Sequence, residues 1–488
     1  MGWQTVTQTV TQTMANDSTV LLALAAAVTI LTVAMETLAR RGVFPQWLCR
    51  KVLHLGAIGA CAAAPLLLVE LTALTVIVAV AALLLLFVVG TGRLFLESDG
   101  RPSWGIALFP IPYIALLLAF PRAEHRWLIA LPMGILAVSD SLAGIVGTLL
   151  RSPSFTLSGD RKTLGGSLTF AVSTWLILIA VSSPLRSLGA PKLYITAALF
   201  ALLLTACEAL GSRGRDNLYI PVAAALLLLG QSTGGAVTVH WGGTLPAALA
   251  LPVAVLFVAR SVRHGWLTLG GAVAAALLGV WVIFFQGLPW LLPLAVFLVS
   301  SSLLGKLLRG RSHSGDSKHA QPRDAVQVFA NGGIYGIAAA LLPASEAQLV
   351  MALCMSAAAA DTWASEIGVA VGGRTVDLVR FKPVPAGLSG GVSVGGCIGA
   401  VAGALLLAVV GASLLQESPQ VLTVVRLAVL GFAGMLVDSV LGSLVQAKYR
   451  GPSGVLQDSP AGGAPLVGGL RWMSNDLVNV ASMAFIVG

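Results

Sequence analysis

Long apolar runs, each broken by a short polar segment, recur from one end of the chain to the other. Most hold 17 to 25 residues, enough for a helix to cross the hydrocarbon core of a bilayer. The pattern predicts sixteen spans, near 19–38, 52–69, 71–91, 105–121, 127–150, 168–183, 193–211, 218–233, 246–262, 266–285, 288–308, 325–343, 347–371, 393–414, 424–447 and 476–488. The last is short for a full crossing. No stretch outside them is long enough to build a soluble core. The pattern therefore predicts an all-α, polytopic transmembrane helical protein. Residues 1–18, rich in Thr, Gln and Val, lack the basic flank of a signal peptide and are expected to form a poorly ordered tail.

The basic residues fall in alternate loops: Arg40, Arg41, Arg50 and Lys51; Arg151, Arg161 and Lys162; Arg213 and Arg215. Arg260 and Arg263 follow, then Lys306, Arg309, Arg311 and Lys318; Arg374, Arg380 and Lys382; and Lys448 and Arg450. The positive-inside rule makes these loops cytoplasmic and puts the N-terminus outside. The net charge of +9 thus belongs to membrane topology, and no nucleic-acid-binding motif accompanies it. Composition agrees: 57% hydrophobic, 10% charged, mean hydropathy +0.90. Its Ala, Leu and Gly bias suits a GC-rich prokaryotic gene and hence a prokaryotic plasma membrane. Five scattered cysteines form no CxxC, which argues against a disulfide framework or a zinc site.

The two halves repeat. Arg101, Tyr113 and Pro121 match Arg323, Tyr335 and Pro343 at an offset of 222, and Asp140 matches Asp361 at 221. The expectation is two tandem, parallel eight-span units, 19–233 and 246–488, joined by a linker over 234–245. Parallel repeats occur in transporters and in duplicated enzymes, so the repeat alone selects neither.

Carboxylates in hydrocarbon are costly, so acids within spans are functional candidates. Asp140 and Asp361 are followed at helical spacing by Gly144 and Gly147, and by Ser365 and Gly368; Glu208 has Ser212 and Asp438 has Gly442. Small residues beside an acid leave room for hydrated Mg²⁺ holding a phosphate chain, although they also serve plain helix packing. Asp140 lies about 16 Å along a helix from Arg151, which predicts a water-filled cavity and a helix broken near Gly144–Gly147. Two basic loops end in Gly-Gly near serine: Arg161 and Lys162 before Gly165, Gly166 and Ser167; Arg380 and Lys382 before Gly390, Gly391 and Ser393. Such loops suit phosphate, or are ordinary cytoplasmic turns. Asp216 with Asn217, and Asn475 and Asp476 with Asn479, open spans as metal or nucleotide ligands or as helix caps; Asn331 is similarly placed. His54 follows Arg50-Lys51 at an interface. Neither GxxxxGK[ST] nor a protein-kinase signature is present.

Through E-x3-RR (Glu36, Arg40, Arg41), RKVLH, the Asp140 helix, KTLGGS and EALGSRGRDNLYIPV, residues 19–233 resemble the phytol kinase and dolichol kinase family. Those membrane enzymes phosphorylate isoprenoid alcohols with CTP. Thr148 stands where many relatives place Arg. Residues 246–488 resemble the integral membrane family that includes plant phytyl-phosphate kinase, through ANGG, ADTWASEIG, PVPAGLSGGVS, DSVLGSLVQ and NDLVN.

The resemblance implies two successive phosphorylations in one chain, taking a prenyl alcohol of the phytol, geranylgeraniol or farnesol type to its monophosphate and then its diphosphate. CTP or another nucleotide would be the donor, and Mg²⁺ the cofactor. In the first half it implies Asp140 and Glu208 on Mg²⁺–nucleotide, Arg161, Lys162 and Gly165–Ser167 on phosphate, and His54 and Lys51 at the acceptor end. In the second it implies Asp361, Glu366 and Asp438 on metal and Arg380, Lys382 and Gly390–Ser393 on phosphate, completed by Asn475, Asp476 and Asn479. Membrane lipids, the isoprenoid alcohol and its monophosphate, and the nucleotide are the implied partners. The competing readings are a lipid or small-molecule transporter and a CDP-lipid-type cytidylyltransferase.

Overall fold

The computed structural model describes residues 3–91, 105–181, 185, 188–232, 241–308, 322–415, 420–451, 454–459 and 463–488. Arg101, Arg309, Arg311 and Lys318, and residues 234–240 of the expected linker, lie outside them. The chain divides into two compact helical units, Met1–Thr233 and Gly234–Gly488. Among the described residues nine helices are long and apolar enough to cross a membrane, and five further apolar helices hold 10–17 residues. The protein is an all-α integral membrane protein.

The first unit comprises α1 (Trp3–Arg40), α2 (Gln46–Leu67), α3 (Thr72–Thr91), α4 (Gly105–Leu108), α5 (Pro110–Ala119), α6 (Trp127–Ile135), a π-turn (Leu136–Asp140) and α7 (Ser141–Leu149). A short antiparallel hairpin, β1 (Ser154–Thr156) with β2 (Arg161–Thr163), leads to α8 (Leu164–Val181), α9 (Ala190–Leu210) and α10 (Asp216–Ser232). Two expectations need correction. The helix α1 runs through the supposed tail, and buried Asp17 is tied in where its carboxylate accepts the N–H groups of Val69 and Glu70. The Asp140 helix is not broken near Gly144–Gly147: those residues lie within α7, and the irregularity is the wide turn ending at Asp140.

The second unit comprises α11 (Trp241–Arg263), α12 (Leu269–Gln286), α13 (Leu291–Leu308), α14 (Ala325–Leu341) and α15 (Ala344–Val371). After β3 (Val376–Asp377) and β4 (Gly391–Val392) come α16 (Val394–Leu414), α17 (Gln420–Leu444), the small sheet β5 (Lys448–Arg450), β6 (Leu456–Gln457) and β7 (Leu466–Gly468), and α18 (Asn475–Val487). The end of the expected linker, 241–245, is already helical in α11.

Small residues set the packing of this unit. The Ala357–Ala360 run of α15 is buried against α16 and α17. A Cβ on Gly403 would lie 2.6 Å from the Ala359 carbonyl oxygen, so only glycine permits that approach. Ser356 donates at 3.0 Å to the carbonyl of either Ala404 or Leu427, on the two neighbouring helices. This close-packed wall fixes Asp361, the residue after the run.

Candidate active sites

In the first unit the elements converge on Asp140. Its Oδ2 accepts from Lys51 Nζ at 2.8 Å and lies 3.2 Å from His54 Nδ1, both on α2. A Cβ on Gly144 would collide with the Lys51 chain, so the space expected for a hydrated ion at that glycine is taken by a lysine. Lys162, on β2, reaches Glu208 Oε1 at 2.5 Å and Asp216 Oδ2 at 3.5 Å. Burial disfavours its ammonium, but Asp216 and Glu208 outweigh burial and hold its pKa above the ordinary lysine value. Asp140, Glu208 and Asp216 each place one carboxylate oxygen within 4.8 Å of the others. Three acids and two lysines thus share one buried site, beside a histidine.

Other expected phosphate ligands stand apart from this cluster. Arg161 is exposed and donates to Ser154 Oγ. The Gly165 N–H donates to Ser152 Oγ, and Asn217 donates to the Gly105 carbonyl. Ser167 Oγ is buried without a partner among the described residues, as are His54 Nε2 and Glu208 Oε2. The hydroxyl of Thr148 bonds the Gly144 carbonyl one turn back.

In the second unit Asp361, Asp438, Asn331 and Asn479 line one small pocket, with Ser482. Ser482 donates to Asp438 Oδ2, and the Asn479 amide, turned to its better-bonded orientation, donates to the same oxygen at 3.0 Å. Among the described residues no Lys, Arg or His is ion-paired with Asp361 or Asp438.

Glu366, five residues beyond Asp361, does not line this pocket; it lies by Gly305 of α13 and its charge acts on Arg323. Arg380 is held by Asp377 and Ser443, and Lys382 is exposed. The residue at the centre of that loop is Asp377, which the sequence reading passed over. It is 2% exposed, and its carboxylate accepts the Ser443 hydroxyl and the N–H groups of Val379 and Arg380. Burial opposes its ionisation, but these donors and Lys448 hold its pKa below the usual carboxylate range. Asn475 Oδ1 accepts from Ser389 Oγ, which ties it to the same loop; Asp476 lies in the first turn of α18.

The glycine loops match in a register different from the expected one. A Cβ on Gly147 would meet Thr163 Oγ1 at 2.7 Å and Gly166 Cα at 3.3 Å; on Gly368 it would meet Ser393 Oγ at 3.1 Å and Gly396 Cα at 3.3 Å. Thr163 accepts from the Gly166 N–H, and Ser393 from that of Gly396. The counterpart of Gly165-Gly166 is therefore Gly395-Gly396. Gly390 instead packs on the Ser443 backbone at φ +85°, and Gly391 lies in β4.

Fold and sites together define a helical integral membrane protein with a carboxylate centre buried in each unit. The family described as integral membrane protein DUF92 matches residues 252–487. Over 263 residues the chain is 26% identical to Protein PGR of Arabidopsis thaliana, covering 48% of this chain and 91% of that protein. It is 26% identical over 132 residues to the phytol kinase of Synechocystis sp., covering 27% of this chain and 56% of the relative. It is 32% identical over 124 residues to the chloroplastic Protein VTE6 of Arabidopsis thaliana, covering 25% and 31%. No solved structure matches.

Proposed function

We propose that the protein is a membrane phosphotransferase that phosphorylates an isoprenoid alcohol in its first unit and the resulting monophosphate in its second. The observation that carries this reading is the Asp140–Glu208–Asp216 cluster with Lys51, Lys162 and His54. Similarity to a relative named phytol kinase supports the substrate class.

The cluster fits Mg²⁺: its donors are hard carboxylate oxygens, and Glu208 Oε2 is buried with no partner among the described residues. Asp140, Glu208 and Asp216 would hold the ion, and bound Mg²⁺ would supply charge neutralisation on the nucleotide phosphates. In the second unit Asp361 and Asp438, with amide oxygens nearby, would serve similarly.

The residues of the first unit supply the rest. His54 Nδ1 lies 3.2 Å from Asp140 Oδ2; with that nitrogen turned to the acid, Nε2 would be the base. It takes the hydroxyl proton while the alcohol oxygen bonds the γ-phosphorus and the bond to the β-phosphate oxygen breaks, releasing the nucleoside diphosphate. Lys51 and Lys162 offset the negative charge that gathers there. A phosphate monoester acceptor is already anionic and needs no such base. CTP is the donor suggested by the resemblance of the first half.

The test is product analysis with γ-labelled CTP, Mg²⁺ and farnesol, geranylgeraniol or phytol. Wild type is expected to make mono- and diphosphate. Asp361→Asn should stop at monophosphate, and Asp140→Asn should act only on added monophosphate. Release of pyrophosphate with CMP left on the lipid would instead indicate a cytidylyltransferase. No label on lipid with any nucleotide would remove the kinase reading.

A further inference from the structure

The second unit contains a cavity of about 220 Å³ walled by α11 to α15, its lining almost wholly apolar. Val253, Phe257, Leu278, Ile283, Leu294 and Met355 are representative. Small-ligand pockets usually run from roughly 300 to 1,000 Å³, so this one suits a single narrow chain better than a two-tailed phospholipid.

Among the described residues its polar lining is Arg323, Gln327 and Asn331. Gln327 and Asn331, four residues apart, share one face of α14, and Arg323 lies just before its extended N-cap residue Asp324. Asn331 also lines the pocket of Asp361 and Asp438. The apolar cavity and the carboxylate pocket thus share a wall residue, and an arginine just before the same helix lines the cavity with it.

Arg323 is held in place by what surrounds it. Its Nη1 donates to Ser301 Oγ at 2.7 Å, and its guanidinium lies 5.7 Å from the centre of the Phe297 ring. Its backbone N–H donates to the Trp266 carbonyl, and its carbonyl accepts from the Thr268 N–H. A guanidinium has five N–H donors, and the Ser301 bond uses one. Glu366 on α15 is the acid whose charge acts on it.

We propose that this cavity is the acceptor site of the second unit and that Arg323 makes it select a single-chain lipid with an anionic head over the neutral alcohol. The tail lies along the apolar wall, and the head meets Arg323 and the amides of Gln327 and Asn331 on the approach to Asp361. This deepens the kinase reading and rests on it for the reaction. The choice of lipid is a binding property and can be measured without any reaction.

The experiment uses the full chain in nanodiscs, without nucleotide, and measures binding of farnesyl phosphate and farnesol by calorimetry. Wild type should prefer the phosphate. Arg323→Gln should weaken farnesyl phosphate by on the order of tenfold to a hundredfold and leave farnesol unchanged. Arg323→Lys should keep part of the preference, and Ala276→Trp, which fills the cavity, should weaken both lipids. Equal weakening of both lipids by Arg323→Gln, or of neither, overturns the proposal. So does a Glu366→Gln variant that loses the preference as fully, since Arg323 would then act only as half of a structural pair. A protein that selects the phosphate through Arg323 yet transfers nothing from any nucleotide would refute the kinase reading and leave this site standing.

Discussion

The two units bury acids on comparable helices and balance them by different means. In the first, Lys51 and Lys162 contact the acids directly, and His54 lies beside Asp140. In the second, Asp438 is met by an amide and a serine in the pocket it shares with Asp361, and Arg380 and Lys448 are engaged with Asp377. A buried carboxylate must be neutralised by a proton, a metal or a cation. The first fold brings its own cations. Among the described residues the second places no Lys, Arg or His in an ion pair with its two acids.

The sharpest way to break this comparison is to remove a partner from each side. Lys162→Met strands Glu208 and Asp216 and should destabilise the first unit by about 3–5 kcal/mol. Asp438→Asn relieves two acids sharing a pocket and should leave the second unit as stable as wild type or more so. Thermal unfolding in detergent reads both; equal losses would end the distinction.

Next in size is histidine. His54→Ala should slow alcohol phosphorylation by about 10²–10⁴-fold. His264 of the second unit packs at a tilt beside Trp266 and, among the described residues, is ion-paired with none of the acids named there, so His264→Ala should leave monophosphate phosphorylation unchanged. Separate assays of the two steps check this.

A smaller, symmetric effect is expected where the units agree. Gly166→Ala would place a methyl 3.0 Å from the Ala143 carbonyl oxygen, and Gly396→Ala one 3.1 Å from that of Ala364. Each should cost about 1–3 kcal/mol. Unequal costs would dissolve the local correspondence.

The smallest effect is in pH. Lys162 has its pKa raised in the fold, so its contribution is full below the ordinary lysine pKa and is lost as pH rises through the higher folded value. Asp377 has its pKa lowered, so its contribution is full above the ordinary carboxylate pKa and is lost as pH falls through the lower folded value. Melting temperature against pH should therefore lose its alkaline limb in Lys162→Met and its acid limb in Asp377→Asn.

Much of this was legible in the sequence, because membrane helices obey one dominant rule: the long apolar runs fold as helices, nine of which, among the described residues, are long and apolar enough to cross a membrane. Charge in hydrocarbon likewise marked Asp140, Glu208, Asp361 and Asp438. Contacts at long separation were not legible. Lys51 reaches Asp140 across 89 residues, and nothing local to either announces it. Asp216 was ambiguous because an acid opening a helix caps it as readily as it binds a ligand; its approach to Glu208 and Asp140 is again a contact at long separation. The glycine register went astray because Gly390-Gly391 looks like Gly165-Gly166 in type, whereas the equivalence lies in a hydroxyl three residues before a glycine. Asp377 could have been noticed as an acid beside Arg380 in a loop otherwise basic.

The wide turn at Leu136–Asp140 has a consequence for inheritance between the units. In a regular helix each residue advances about 100° around the axis, and a π-turn lets one extra residue pass without breaking the helix. The segment before Asp140 and the segment after it are therefore out of phase, while α15 runs regular through Asp361. An alignment anchored on the two aspartates will slip by one position upstream if it treats both helices as regular. Deleting one residue from the turn should close it to a regular helix, leave Asp140 facing Lys51 and shorten the span by about 1.5 Å. Phase, rather than composition, would then be what separates the two aspartate helices.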